Sequence, residues 1–390
     1  MKNRVVTAAN RMAARWAGTC EGDEAAQAAA GVWPLLALLA DGANKPGRGE
    51  LAAALGVDPP DAVAAAHEIL AVLGSSEAVS AALGVWARAD LPLHRAWLDR
   101  IPAGTAAALE PDLAAAQQKL DAWARLHTGG LIGQMPIRLT PEDLLVLASA
   151  LLVRTEWVEQ FSPDRMSGND DGPWHSRAFD SLRRTTRDLS RVKVARTAAG
   201  ELTAAYVSGT HEIDVVLVLG EPDASAGEVL EHGVRLVAGE YRTVPGTAFA
   251  EDAPGPGITR STVEAGTPGN RLRLELPAFS VSCTSDLLQT PEVFGLKAVT
   301  DAGRGHFPGV SPRPLAVSRA VQDITAAFTA TGFEASAVTA FSMVAGARMP
   351  KTPHSVLETA LVLDRPFGFI AVHRTSELVL VAGWVQNPGG

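Results

Sequence analysis

The spacing of apolar residues divides the chain into a helical first part and a strand-rich remainder. Apolar positions recur at helical spacing in several Ala- and Leu-rich segments that stop near glycines or polar residues, which is typical of helices. These segments are 33–39, 48–55, 62–73 and 109–126. From residue 144 onward the runs become continuous or alternating. The first of them, 144–153, predicts a long buried strand, although periodicity alone also allows a buried helix there.

Later segments predict strands joined by turns and loops. The runs 203–207 and 213–219 flank a Gly-Thr-His-Glu turn and predict a hairpin, and 271–276 alternates strictly as a half-exposed strand does. The Gly- and Pro-rich stretch 245–268 is interpreted as a surface loop rather than a domain linker, and 162–173 as a polar loop. Helices first and strands later, without alternation of the two, indicate an α+β fold.

Composition and charge narrow the functional classes. The length of 390 residues exceeds the usual size of one core, so two domains are the default expectation. A net charge of −9 argues against nucleic acid or an anionic membrane as partner. The two cysteines, Cys20 and Cys283, have no metal or redox spacing, and no His pair has ligand spacing. No nucleophile or phosphate-loop motif is present, so the sequence predicts no metal, no cofactor and no catalytic activity.

The N-terminus does not read as a clear targeting segment. Its basic start suggests a signal peptide, but Arg11 and Arg15 interrupt any apolar core. No apolar run reaches the length that spans a bilayer. These features favour the cytoplasm over the extracellular space and leave the route of secretion open.

The C-terminal stretch carries the strongest functional signal. Two nearly continuous apolar runs, 361–370 and 378–385, predict strands that are covered on both faces. The first run is broken by Pro366, which cannot donate to a ladder. The stretch contains Asp364, Arg365, Pro366, Phe367, Gly383, Val385, Asn387 and Pro388. In these residues it resembles the C-terminal signature of the serpins, protease inhibitors that act by conformational change, while Gly368 replaces a bulky apolar residue.

The resemblance to serpins extends over almost the whole chain. Its order and spacing are specific, although each matching segment alone is weak. The segments are 40–44, 49–56, 120–123, 128–132, 145–157 with Phe161, and Leu276-Pro277 with Phe279. The resemblance implies an α+β serpin fold, in which helices pack on a large, mostly antiparallel sheet A beside sheets B and C. It also implies a single domain over residues 1–390 with an exposed reactive-centre loop at about 332–355.

The segment 321–350 should carry the function. Alternating apolar residues predict a strand that Gly332 breaks, and the run from Phe333 to residue 345 has no Pro or Gly. Periodicity alone favours an ordinary edge strand and loop. The resemblance instead implies the serpin hinge and reactive loop. The hinge residues would be Ala330, Gly332, Phe333, Glu334, Ala335, Ser336, Ala337, Val338 and Thr339.

The resemblance also implies a mechanism and a partner. In serpins, a target protease cleaves the loop, the freed segment inserts into the main sheet as a new strand, and the covalently held protease is deformed. A bacterial inhibitor of this kind would be a metastable monomer that binds a serine or cysteine protease and neither nucleic acid nor membrane. The family's spacing points to a reactive bond at Gly346-Ala347, and Arg348-Met349 just beyond suits a trypsin-like protease. The target protease and the bond stay open.

Several residues depart from the family pattern. Ala330 stands where an acid is usual and Ala278 where its Lys partner is usual, so both halves of an ion pair are absent together. Residues expected to control opening of the sheet also differ. Ala28, Ser149 and Gln322 replace the usual Ser, Asn and His, while Trp157 is expected to line the point where the loop first inserts.

The most consequential departure is Phe333, because inhibitors carry a small residue there. A bulky side chain in space shaped for a small one costs roughly 1–3 kcal/mol. A cost of this size on the insertion barrier would favour hydrolysis over trapping of the protease. The alternative function is therefore a non-inhibitory serpin homologue that acts as a binding protein.

Overall fold

The computed structural model describes residues 3–388, apart from 104, 128–129, 131–132, 136–137, 142, 144, 169–171, 251–254, 302 and 335–353. Helices gather mainly in the first third of the chain. They are α1 (Arg4–Ala17), α2 (Ala29–Gly42), α3 (Gly47–Leu55), α4 (Ala62–Leu73), α5 (Arg95–Leu98), α6 (Leu113–His127), α7 (Ala226–Val237) and α8 (Pro291–Phe294). No helix in these described ranges has both the length and the apolar character that crossing a membrane requires.

Three sheets make up the rest of the fold. The six-stranded sheet has the order β13 (Phe279–Asp286), β14 (Val321–Phe328), β15 (Gly332–Glu334), β4 (Leu145–Glu156), β2 (Val79–Arg88), β3 (Ala106–Leu109). The five-stranded sheet has the order β11 (Ile258–Ala265), β16 (His354–Val362), β12 (Arg271–Pro277), β6 (Ala178–Thr186), β5 (Ser162–Ser167). The seven-stranded sheet has the order β1 (Ala25–Gln27), β18 (Leu378–Val385), β17 (Phe367–His373), β9 (Ile213–Leu219), β8 (Gly200–Ser208), β7 (Val192–Thr197), β10 (Thr243–Pro245).

The local sequence explains where the helices begin and end. The side-chain oxygen of Asn3 accepts from the first backbone N–H groups of α1, and Ser225 forms a reciprocal capping box with Glu228 at the start of α7. Helix α3 ends at Gly56, whose φ of +69° is a left-handed conformation that glycine adopts without strain. Helix α2 is buried nearly all round, because it packs between β18 of the seven-stranded sheet and β4 of the six-stranded sheet.

Helix α6 covers the outer face of the six-stranded sheet. Its Leu120 is fully buried in a separate apolar cluster with Trp86 of β2 and Val146 and Ala148 of β4. Trp123 packs edge-on against Trp86, with ring centroids 4.9 Å apart. Helix α2 packs against the opposite face of β4. The sheet is therefore covered on both faces near Val146 and Ala148.

Most of the predicted fold is confirmed. The α+β class, the hairpin of β8 and β9 and the C-terminal pair β17 and β18 are present, and the strand predicted at 144–153 is β4, Leu145–Glu156. Nearly all ladders are antiparallel; the parallel ones described are β2 with β3 and β12 with β16. Cys20 and Cys283 are half-buried free thiols.

Three sequence predictions were wrong in part. The helix expected from residue 109 begins at Leu113, because 106–109 pairs with β2 as a strand. The expected loop 162–173 contains β5, whose ladder partner is β6. The expected surface loop 245–268 contains β11, which pairs along its whole length with β16. Each missed strand is defined by its pairing with another strand, β2, β6 or β16, so its own sequence pattern does not reveal it.

The candidate strand-insertion site

The candidate site is the gap between β4 and β14 in which β15 lies. Strand β15 pairs antiparallel with both neighbours: Phe333 lies opposite Thr155 of β4 and Phe328 of β14. Strands β4 and β14 are therefore parallel to each other and separated by an added strand. The sheet thus already accepts the beginning of the segment that leads into residues 335–353.

Phe333 is enclosed in the core. Its side chain is 0% exposed, and its ring lies 6.0 Å from that of Phe369 of β17, which belongs to the seven-stranded sheet. The sequence predicted space for only a small residue here, and this expectation was wrong, because the structure encloses the whole Phe side chain. The side chain packs between two sheets against other aromatic rings, and this packing anchors the start of β15.

Gly332 is required by the close approach of β4. A Cβ atom at this position would lie 2.3 Å from the carbonyl oxygen of Thr155. The turn before it is closed by Thr329, whose backbone N–H donates to the Gly332 carbonyl at 2.9 Å and whose Oγ1 accepts from the Gly332 N–H at 3.2 Å. A side chain at Gly332 would push β15 away from β4.

Trp157 fastens the end of β4 to the end of β14. Its indole N–H donates to the Thr329 carbonyl at 2.9 Å, and its backbone N–H donates to the Thr331 carbonyl at 2.9 Å. Its ring centroid lies 4.5 Å from that of Phe328 and 6.3 Å from that of Phe161. The tryptophan therefore lies beside the turn that leads into β15.

Ala330 and Ala278 lie at this same end of the sheet. Phe279 lies opposite Phe328 in the β13–β14 ladder, so the two alanines follow just beyond the paired residues. Both are partly buried against the core. The Ala330 carbonyl accepts from the Phe161 N–H at 2.9 Å, so backbone pairing and aromatic packing hold this end.

Sequence reasoning missed two contacts of charged side chains near these residues. Glu334 forms an ion pair with Arg154 of β4 on the outer face of the sheet. The Arg184 guanidinium stacks 4.6 Å over the Phe161 ring, and its burial lowers the pKa of Arg184. Neither contact joins residues close in sequence, so only the strand register reveals them.

Gln322 and Ser149 lie further down the gap, under α2. The Gln322 side chain accepts from the Ala28 N–H at 2.9 Å and donates to the Ala28 carbonyl at 3.0 Å, which ties β14 to the start of α2. Ser149 of β4 helps to line a cavity of about 30 Å³ between α2, β4 and β14. Its Oγ would lie 3.3 Å from a Cβ on Gly31, so a larger residue in α2 would crowd β4.

Asp323 adds a half-buried charge on the opposite face of β14. Burial raises the pKa of the Asp323 carboxyl, and a hydrogen bond with Thr284 of β13 acts in the opposite direction. One of its carboxylate oxygens is buried and has no hydrogen-bond partner among the described residues. Burial therefore destabilises the charged form of Asp323 beside the gap.

The remaining predicted site residues lie outside the described residues. These are Ala335, Ser336, Ala337, Val338 and Thr339 of the hinge and Gly346, Ala347, Arg348 and Met349 at the predicted reactive bond.

Comparison with known protein families identifies the class of protein that has this fold and this inserted strand. A family model described as "Serpin (serine protease inhibitor)" matches residues 10–170 and 258–388. The chain therefore belongs to the serpin family. Among relatives, Serpin-Z2B of Oryza sativa subsp. japonica is 26% identical over 394 residues, covering 92% of this chain and 89% of that protein. Plasminogen activator inhibitor 1 of Sus scrofa is 26% identical over 277 residues, 68% of this chain and 60% of that protein.

Solved structures share the fold. A serpin from the trematode Schistosoma haematobium has a TM-score of 0.70 at 16% identity, covering 99% of this chain and 100% of that one. Human thyroxine-binding globulin, solved in complex with thyroxine, has a TM-score of 0.73 at 14% identity, and the match covers both chains completely. The likeness at these identities is one of fold.

Proposed function

We propose that this chain inhibits serine or cysteine endopeptidases as a suicide substrate, acting as a monomeric single serpin domain over residues 1–390 and not as a catalyst. The observation that carries the proposal is β15, which lies hydrogen-bonded between β4 and β14. A sheet that already holds the first residues of the loop places the rest where β4 and β14 must separate after cleavage. Membership of the serpin family supports the same reading.

The strand register defines what insertion would pair. Gly332 lies opposite Glu156, so continuing the ladder down β4 brings residue 343 opposite Leu145. Residues 335–343 would thereby gain roughly ten ladder hydrogen bonds at about 0.5–1.5 kcal/mol each, on the order of 10 kcal/mol before ordering costs. Odd-numbered residues would face the core, as Phe333 does, and even-numbered residues would face outward, as Glu334 does.

Phe333 does not obstruct this path, because it is already in place. A side chain buried before cleavage adds no new packing cost to the insertion step. The barrier to trapping a protease is then set by the residues that follow, which are small up to Thr339.

A binding protein is the second candidate, and Gln322 favours it. The two hydrogen bonds from Gln322 to Ala28 hold β14 against the start of α2 within a fully buried setting. A strand fixed in this way opposes the opening that insertion requires. Thyroxine-binding globulin, solved with thyroxine, shows that the fold is compatible with small-molecule binding.

A protease panel separates the two functions. An inhibitor should form a complex with at least one serine or cysteine protease that survives boiling in detergent. Ala337→Arg would place a charge on the core-facing parity and should convert the inhibitor into a cleaved substrate, because a buried unpaired charge is costly. Its matched control, Val338→Arg, lies on the outward parity opposite Asp323 and should still form the complex. Cleavage of the wild-type loop by every active protease without a complex would favour the binding protein.

A further inference from the structure

The strand that follows the loop is held in an unusual position. Strand β16 lies between β11 and β12, which are neighbours in sequence. It pairs antiparallel with β11 over eight positions, from His354 opposite Ala265 to Leu361 opposite Ile258. It pairs parallel with β12 from Glu358 onward. Among the described residues, therefore, the first four residues of β16 have ladder partners in β11 alone.

Ion pairs and loop contacts reinforce this position. Glu358 of β16 is 8% exposed and accepts from the Nε groups of Arg271 at 2.7 Å and Arg273 at 3.0 Å, both on β12. At the other end of β11, the Val362 N–H donates to the Gly257 carbonyl at 3.1 Å. The Thr203 hydroxyl donates to the Pro256 carbonyl at 2.8 Å, which ties the segment before β11 to the seven-stranded sheet.

The length of the connecting segment makes β16 relevant to the loop. An uncut chain that filled the gap down to residue 343 would keep only residues 344–353 to return to His354. Ten extended residues reach roughly 35 Å, whereas the filled part of the gap, opposite Leu145 to Arg154, is about 30 Å long. Strand β16 also belongs to the five-stranded sheet, so the connecting residues must cross from one sheet to the other. The short length that remains does not allow this crossing. Insertion of the uncut loop therefore requires β16 to unpair from its His354 end.

We propose that β11 is a clamp that keeps the uncut loop out of the six-stranded sheet by holding His354–Leu357 in place; this inference rests on the proposed function. Cleavage removes the connection to β16, so the clamp does not oppose insertion of a cut loop. The clamp makes insertion conditional on cleavage and preserves the active form of the inhibitor.

Two adjacent proline substitutions test the clamp. In an antiparallel edge strand the N–H groups of consecutive residues point alternately to the partner strand and to the open edge. Of Ser261→Pro and Thr262→Pro, therefore, one removes a bond to β16 and the other does not, and both side chains are exposed. A third variant, Arg271→Gln with Arg273→Gln, loosens β16 without altering the backbone. Circular dichroism confirms that each variant is folded.

Uncut protein is incubated at raised temperature, and mass spectrometry verifies that it is still intact. Its melting temperature and the susceptibility of its loop to cleavage are then measured. The variant that breaks the β11–β16 ladder should convert to a higher-melting, cleavage-resistant form about tenfold faster than the wild type and its proline control, a change that corresponds to ~1.4 kcal/mol. The arginine variant should also convert faster. If all variants convert at equal rates and the nicked wild type melts higher than the intact protein, the clamp is refuted and loop insertion is not. A nicked wild type that melts no higher would overturn insertion itself, and the clamp with it.

Discussion

The indole N–H of Trp157 donates to the carbonyl oxygen of Thr329 at 2.9 Å, and this bond joins the ends of two strands that are separated by β15. Trp157→Phe keeps an aromatic ring and removes the bond, so it should lower the free energy of unfolding by about 0.5–1.5 kcal/mol. It should also speed amide hydrogen exchange in residues 329–334.

The control for this prediction is Trp174→Phe. The indole of Trp174 donates to the Gln386 carbonyl at 2.8 Å, just after β18 of the seven-stranded sheet. It should cost a similar amount of stability without faster exchange at 329–334. Equal exchange there in both variants would show that Trp157 does not hold the turn.

Phe333→Ala should destabilise the intact and the nicked protein by similar amounts. The ring is fully buried before cleavage, and truncation of a buried Phe costs about 3–5 kcal/mol. Denaturant unfolding of both forms measures the two losses. A loss confined to the nicked protein would mean that Phe333 enters the sheet only after cleavage.

A single cut between residues 344 and 350 should raise the melting temperature sharply. Nine further residues can then join the ladder between β4 and β14, with a gain on the order of 10 kcal/mol. Calorimetry before and after limited proteolysis tests this, with Ala337→Arg as the variant whose cut form should gain little. An unchanged melting temperature in the cut wild type speaks against insertion.

The cut made by the target protease should fall at Gly346-Ala347 or at Arg348-Met349. N-terminal sequencing of the released C-terminal peptide distinguishes a protease that prefers small residues from one that prefers arginine. Arg348→Ala should abolish inhibition of a trypsin-like enzyme and spare inhibition of an elastase-like one. A new N-terminus elsewhere in the loop would refute both assignments.

Asp323→Asn should stabilise the protein at neutral pH. Burial raises the pKa of this carboxyl above its ordinary value of 3.8, so the folded chain binds the proton more tightly than the unfolded chain. Its contribution to stability is full below the unfolded pKa and is lost as the pH rises through the folded pKa. The gain in melting temperature should therefore shrink as the pH falls toward 4. Asp223→Asn makes the same charge change at an exposed side chain and serves as the control.

The sequence predicted those parts of the fold in which local pattern and tertiary packing agree. Helix α4 begins and ends where its apolar spacing and Gly74 indicate, and β17 and β18 are fully buried as their continuous apolar runs predict. Helix α1 was missed although its signal was present. Arg4, Arg11 and Arg15 are exposed at helical spacing, so the arginines that interrupt an apolar core form the polar stripe of an amphipathic helix.

The candidate site was predicted as a set of residues but not as a geometry. Strand β15 has three residues, and its place depends on β4 and β14, which lie far away in sequence. Phe333 looked too large because its neighbours were unknown; the ring of Phe369 comes from another sheet. Strand β11 has exposed Ser, Thr and Glu side chains in a Gly- and Pro-rich stretch, so pairing with β16, and not hydrophobicity, defines it.

The position of the C-terminal hairpin has a consequence for how the protein is made. Strands β17 and β18 lie between β1 and β9 and join the two parts of the seven-stranded sheet. They are synthesised after every other strand described here. Until they emerge from the ribosome, strand β9, which is fully buried in the folded protein, has one uncovered edge and no neighbour on that side. Nascent chains should therefore depend on chaperones to shield Ile213–Leu219, because an exposed apolar edge pairs readily with other chains.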